Sequence, residues 1–284
     1  MPALGLVIGL IKNYLHMSLT FTIIQTALFW EDIDANLQMF EQKINSIPTK
    51  TEVVVLPEMF STGFSMHPKS LAEKMDGKAI TWMREMAIKK KIIVTGSLMI
   101  EDGGKYYNRL IWMLLNGQFG YYDKRHLFAY AKENEHYTAG NKRLIAKVKG
   151  FKINLQICYD LRFPVWARQT PLQEYDAAGD DGAEYDILLY VANWPERRSA
   201  AWKTLLAARS IENQCYVIGV NRVGNDGSNI YHCGDSMVLN ALGETLYHKA
   251  HDEDIFTITL EKNPLLEIRK NLPFLKDADK FQIL

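Results

Sequence analysis

Short runs of β-branched and aliphatic residues that stop at a polar residue or a proline recur along this chain. No other feature constrains the fold as much. Glu52-Val-Val-Val-Leu56 ends at Pro57-Glu58, Phe151-Lys-Ile-Asn-Leu-Gln-Ile157 at Cys158, and Asp186-Ile-Leu-Leu-Tyr-Val-Ala192 at Asn193-Trp194-Pro195; Tyr216-Val-Ile-Gly-Val220 is a further run of this kind. Runs this short and this apolar predict strands covered on both faces. Segments with helical periodicity lie between them. Behind a cap at Asp32 or Asp34, the residues Ile33, Leu37, Phe40 and Ile44 share one helical face. Residues 70–90 read as a second helix, and 199–213 as a third with Trp202, Leu205, Leu206 and Ile211 turned inward. Residues 21–29 and 91–98 read as strands, and Gly103-Gly104 and Asn116-Gly117 as turns bracketing a strand at 109–115. Strands alternating with helices, with hairpins inserted, predict a layered α/β fold with a mixed sheet.

Charge and cysteine usage narrow the function. Thirty-three basic and 33 acidic residues cancel, and no basic stripe is visible, which argues against a nucleic-acid partner. The three cysteines, Cys158, Cys215 and Cys233, form no CxxC pair. They read as reduced thiols in a cytoplasmic protein. The apolar run at 1–11 is too short to span a bilayer and lacks the basic flank of a signal peptide, so no membrane partner is expected, with a weak membrane-surface anchor as the alternative. Met17 reads as the natural start, with 1–16 a dispensable extension and 17–284 a single domain, since no linker divides it. Glu174-Tyr-Asp176 recurs as Glu184-Tyr-Asp186, marking an acidic loop insertion near 173–186. A solvated loop is its plain reading, and a lid or subunit contact its functional one.

Three strands run out at a reactive residue: Glu58, Lys124 and Cys158. A thiol attacking a carbonyl needs a base for its proton, donors for the oxyanion and a turn that exposes sulfur. Taken singly these residues mean little, because a lone cysteine is usually a small buried hydrophobe and strand-end Glu and Lys are usually solvated. His126 and His136 could imitate metal ligands, but no third ligand lies at zinc-like spacing. Cys215 reads as core, and Cys233 as partly exposed with no base or cation around it.

Their contexts add specificity. Leu56-Pro-Glu-Met-Phe-Ser-Thr-Gly-Phe-Ser-Met66, Tyr122-Asp-Lys-Arg-His-Leu-Phe128 and Gln156-Ile-Cys-Tyr-Asp-Leu-Arg-Phe-Pro-Val-Trp166 occur in that order. The chain from about Thr20 onward resembles the nitrilase, or carbon–nitrogen hydrolase, superfamily, and within it the omega-amidase branch. The resemblance implies a four-layer αββα sandwich with mixed β-sheets and a Glu-Lys-Cys centre with a supporting carboxylate, needing no metal or organic cofactor. It makes Glu58 the general base, Lys124 the oxyanion stabiliser with the backbone N–H of Tyr159, and Cys158 the nucleophile. The supporting acid falls at Glu133, preferred over Glu135 because it lies seven residues before Gly140. For substrate it implies the terminal amide of short dicarboxylic monoamides such as 2-oxoglutaramate and 2-oxosuccinamate, cleaved through a Cys thioester. Phe64, Phe128, Arg162 and Trp194 are the pocket candidates, with Arg197 and Arg198 as further cations. An ion pair with Asp160 is the structural alternative for Arg162. The family also implies a homodimer or higher homo-oligomer. A sibling activity on a nitrile or an N-carbamoyl compound stays open, as does, more remotely, a non-catalytic binding protein.

Overall fold

The computed structural model describes residues 17–169, 182–279 and 281–283. The expected leader and most of the acidic insertion lie outside the described residues. The strands are β1 (Ser18–Gln25), β2 (Val53–Val55), β3 (Ile93–Asp102), β4 (Lys105–Met113), β5 (Phe119–Asp123), β6 (Ile145–Val148) and β7 (Phe151–Ile157). They continue as β8 (Ile187–Val191), β9 (Tyr216–Val220), β10 (Val223–Asn225), β11 (Tyr231–Leu239), β12 (Thr245–Ala250) and β13 (Asp254–Glu261). One sheet has the order β13-β1-β2-β3-β4-β5; the other has β10-β11-β9-β8-β7-β6, with β12 on β11. Each is mixed, built on three parallel strands, β1-β2-β3 in one and β7-β8-β9 in the other, with antiparallel neighbours outside.

The layers follow from the period of two. On β2, Val53 and Val55 join the core between the sheets, whereas Val54 joins the core under the helices; on β4, Leu110 and Trp112 face the first and Ile111 and Met113 the second. Helices α1 (Ile33–Asn45) and α2 (Lys78–Lys90) cover one outer face through Leu37, Phe40, Ile44, Ile80, Met83 and Met86. Helices α3 (Ser199–Asn213) and α4 (Lys262–Asn271) contribute Trp202, Leu206 and Leu265 to the core of the other sheet. Each buried aliphatic side chain contributes about 1.5–3 kcal/mol. The four-layer α/β sandwich expected from the sequence is therefore the fold observed. No helix among the described residues is long and apolar enough to cross a membrane.

Several local expectations need correction. The first strand is β1, which starts at Ser18 and ends at Gln25, where Thr26 turns its hydroxyl to Glu253. The helix expected over 70–90 is two pieces, a single turn at Pro68–Leu71 and α2. Between them the chain forms a β-bridge from Glu73 to Ile100, and the Glu73 carboxylate then accepts from the Lys78 and Ala79 N–H groups. Ile211 faces outward at 55% exposure, packed against the Gly243 turn, while Trp202 and Leu206 of the same helix are buried. Asp32 is the cap of α1, accepting from the Ala35 N–H at 3.0 Å.

Asp186 anchors the C-terminal helix to the second sheet. It is fully buried, accepts from the Lys152 N–H at 2.8 Å and Arg269 Nη1 at 3.1 Å, and pairs with Lys262. Asp186→Ala would remove the carboxylate that Lys262 and Arg269 share, which costs about 3–5 kcal/mol when a buried pair loses one partner. The urea midpoint of unfolding is expected to fall accordingly with an unchanged slope; a midpoint equal to wild type would show that α4 is held by other contacts.

Candidate active site

Four strand ends meet at one point between the sheets. Beyond β2 the chain reaches Glu58 and then Met59 in the left-handed region at φ 44°, held by Met59 N–H on Ser97 Oγ at 2.8 Å. Beyond β5 comes Lys124, whose N–H donates to the Asn108 carbonyl at 3.0 Å and whose carbonyl accepts from Gly140 N–H at 2.9 Å. A Cβ at Gly140 would lie 2.1 Å from the Asp123 carbonyl, so only glycine lets the two segments approach this closely. Beyond β7, Cys158 sits at φ 44° and opens a tight turn to Arg162. A non-glycine residue in this region costs about 1–3 kcal/mol and is held there by its surroundings. Those surroundings centre on Asp160, fully buried, whose Oδ2 accepts from Ile157 N–H at 3.0 Å and Tyr122 hydroxyl at 2.8 Å, and whose Oδ1 accepts from His126 N–H at 2.9 Å. Beyond β8, Asn193 reaches across to the first sheet.

Glu58, Lys124 and Glu133 form one cluster sealed from water. Lys124 Nζ lies 2.9 Å from Glu58 Oε1 and 3.0 and 2.9 Å from the two oxygens of Glu133. Glu58 Oε2 accepts from Asn193 N–H at 2.7 Å, and Glu133 Oε2 from Phe128 N–H at 2.6 Å. Burial alone would lower the ammonium's pKa, but the two carboxylates prevail and raise it, so Lys124 is a cation. Cys158 is pushed well up, by burial first and then by the charge of Glu58, against the pull of Lys124. The resting sulfur is therefore a thiol, not a thiolate.

The expected pocket residues converge beside it. Phe64, Lys124, Phe128, Cys158, Tyr159, Arg162, Trp194, Arg197 and Arg198 line one cavity of about 220 Å³. That is below the roughly 300–1,000 Å³ typical of ligand pockets and suits a small substrate. Arg162 is not paired with Asp160, whose oxygens are taken as described; its guanidinium lies 5.0 Å from the centre of the Trp194 ring. Arg198 lies likewise 5.1 Å from Phe128, and Arg197 6.0 Å from Tyr130. Among the described residues no carboxylate is paired with any of the three. Tyr159 follows Cys158 at the head of the turn, where the first N–H groups have no partner within it. Glu133 is buried on Lys124, whereas Glu135 is exposed.

Sequence reasoning missed Asn108, Asn193, Asp160 and the Asp226-to-His232 rim of the cavity. Asn193 was visible only as the polar stop of a strand. Asp160 reads as a partner for Arg162, but instead it ties the turn to Tyr122 and His126. His126 stacks on Phe163 with ring centres 3.8 Å apart, His136 is exposed, and no metal-holding group of three or more His, Cys, Asp or Glu occurs among the described residues. Cys233 is buried, not partly exposed, and its thiol is 3.2 Å from Asp235, which also accepts from His248 and lies 3.6 Å from Lys203.

Two mixed sheets between helical layers, with a thiol, an ammonium and a carboxylate at their strand ends and a second carboxylate on a short helical turn, define a class, the α/β sandwich of the nitrilase superfamily. A carbon–nitrogen hydrolase superfamily protein of Xanthomonas campestris, solved with an arsenic adduct in its active site, superposes with a TM-score of 0.89 at 38% identity over 94% of this chain and all of that one. A Saccharomyces cerevisiae member of branch 10 of the superfamily gives 0.77 at 25% identity over 92% and 96%. The sequence profile of the carbon–nitrogen hydrolase family matches residues 20–264, and the chain belongs to that family. Among its relatives are the omega-amidase YafV of Escherichia coli, 40% identical over 93% of this chain and 98% of that protein, and the 2-oxoglutaramate amidase of Bacillus subtilis, 30% identical over 93% and 99%.

The charge of Glu58 is one cause of the raised thiol. In Glu58→Gln the thiol pKa is therefore expected to fall while amide turnover drops by about 10²–10⁴, read from thiolate absorbance against pH. A thiol titrating as in wild type or higher would contradict this electrostatic account.

Proposed function

We propose that the chain is an omega-amidase that hydrolyses the terminal amide of short dicarboxylic monoamides, 2-oxoglutaramate and 2-oxosuccinamate, to the acid and ammonia. The observation that carries the reading is the Cys158 thiol on a left-handed turn beside a sealed Glu58–Lys124–Glu133 cluster, facing a small cavity with three arginines on aromatic rings. The names of the two relatives above support the substrate class.

The chemistry follows from the arrangement. Cys158 Sγ attacks the amide carbon as Glu58 takes the thiol proton, so charge develops on the carbonyl oxygen and not on a resting thiolate. The oxyanion faces the Lys124 ammonium and the Tyr159 N–H, donors that are in place before the charge develops. Collapse breaks the C–N bond, and the proton on Glu58 leaves with the amine as ammonia. Water, deprotonated by Glu58, then cleaves the thioester, and the sulfur recovers its proton from Glu58. Glu133 holds Lys124 as a cation in place. The distal carboxylate lies against Arg162, with Arg198 and Arg197 beyond it; Phe64, Phe128 and Trp194 wall the acyl chain. The same reading takes residues 17–284 as one catalytic domain, supported by the single core that strands of both sheets share. It places that domain in the cytoplasm as a homodimer or higher homo-oligomer.

Ammonia release from 2-oxoglutaramate by wild type and Cys158→Ala tests the reading. Wild type is expected to turn over and Cys158→Ala to lose at least about 10³-fold in kcat. Arg162→Ala is expected to raise KM roughly 10- to 100-fold with a smaller change in kcat. Equal activity with and without the thiol would sink the mechanism. An inactive wild type that cleaves a nitrile or an N-carbamoyl amino acid would move the substrate to a sibling class.

A further inference from the structure

Asn108 lies within β4, fully buried, and touches every member of the charged cluster. Its Nδ2 donates to Glu58 Oε1 at 2.8 Å and to Glu133 Oε1 at 3.2 Å, and its backbone carbonyl accepts from the Lys124 backbone N–H at 3.0 Å. The amide has one tenable orientation. Reversed, its oxygen would face two carboxylate oxygens that can only accept. In the orientation observed, Oδ1 is buried without a hydrogen-bond partner among the described residues. Such an orphan costs about 1–3 kcal/mol, which a leucine of similar shape would avoid. The two donated bonds are what the residue supplies in return.

The donors divide unevenly over the two oxygens of Glu58. Oε1 receives both Lys124 Nζ and Asn108 Nδ2, whereas Oε2 receives only the Asn193 N–H. Two donors fill the lone pairs of one oxygen, so spare accepting capacity is left on the other. We propose that Asn108 is a positioning residue that saturates Glu58 Oε1 and thereby makes Oε2 the oxygen that takes the Cys158 proton. This rests on the reading of Glu58 as the base. The proton moves from Sγ to Oε2 as the C–S bond forms, and from Oε2 to the departing nitrogen as the C–N bond breaks, so Oε1 keeps its bonds to Lys124 and Asn108 throughout. The ionisable groups facing Glu58 are Lys124, Glu133 and Cys158. Tyr137 stands beyond them, its phenol kept neutral by burial and by the charge of Glu133.

The test is the pH dependence of Cys158 alkylation by iodoacetamide, and of amide hydrolysis, in wild type, Asn108→Leu and Asn108→Asp. The leucine removes the donor, and a carboxylate that loses a donor binds protons more readily. The acid limb of both profiles is then expected to move up by about one pH unit. Turnover falls about 10- to 100-fold with KM within about twofold. The aspartate keeps the shape but donates only while protonated, so it retains rate on the acid side and loses it on the alkaline side. Limbs at wild-type positions in both variants, with any loss of rate shared evenly across pH, overturn the proposal. If thermal melts show that the leucine variant does not fold, the isosteric aspartate carries the test alone. Alkylation uses no amide substrate, so inactivity towards 2-oxoglutaramate would refute the substrate and leave this measurement standing.

Discussion

One ammonium held between two carboxylates, with none of the three in contact with solvent, sets the terms for everything around it. Removing such ions from water costs several kcal/mol each unless geometry and additional hydrogen bonds offset it. Here the offset is drawn from the whole fold. The carboxylate oxygens are met by the Asn108 amide from β4, the Phe128 N–H from the loop after β5, and the Asn193 N–H from beyond β8 in the opposite sheet. Asn193 binds Glu58 twice, through its own N–H to the carboxylate and through its amide to the Glu58 carbonyl. The face-to-face docking of the sheets and the solvation of the charges are thus one problem with one solution.

The two sheets use equivalent places for this. Glu58 follows β2, the middle of three parallel strands, and Asn193 follows β8, the middle of the other three. Cys158 follows β7, one strand over, so the thiol arrives beside the carboxylate from the opposite layer. A rigid ladder fixes each strand end, and catalytic geometry is best held by such elements. The left-handed turn at Cys158 and the Asp160 bonds beneath it then aim the sulfur.

Much of this was legible in the sequence, for identifiable reasons. β7, β9 and α3 begin and end where periodicity and β-branched content place them, because tertiary packing agrees with local preference there. The break at 72–77 was not legible. Its cause is Glu73, which pairs with Ile100 some 27 positions away, and no local signal reports such a bridge. Ile211 misleads because helical periodicity cannot foresee the Gly243 turn packed outside it. Within the candidate site, Glu58, Lys124 and Cys158 announced themselves by ending strands. Asn108 did not, since it stands just before the apolar run at 109–115 from which that strand is read, and only the partner strands reveal that it lies within β4, buried among charges.

The backbone at Cys158 also limits what evolution could substitute there. At φ 44° an unbranched side chain is strained but tolerated, whereas a β-branched one becomes a genuine outlier. Serine could replace the cysteine without disturbing the turn. Threonine could not, so of the two hydroxyl nucleophiles that other hydrolases employ, this architecture admits only one.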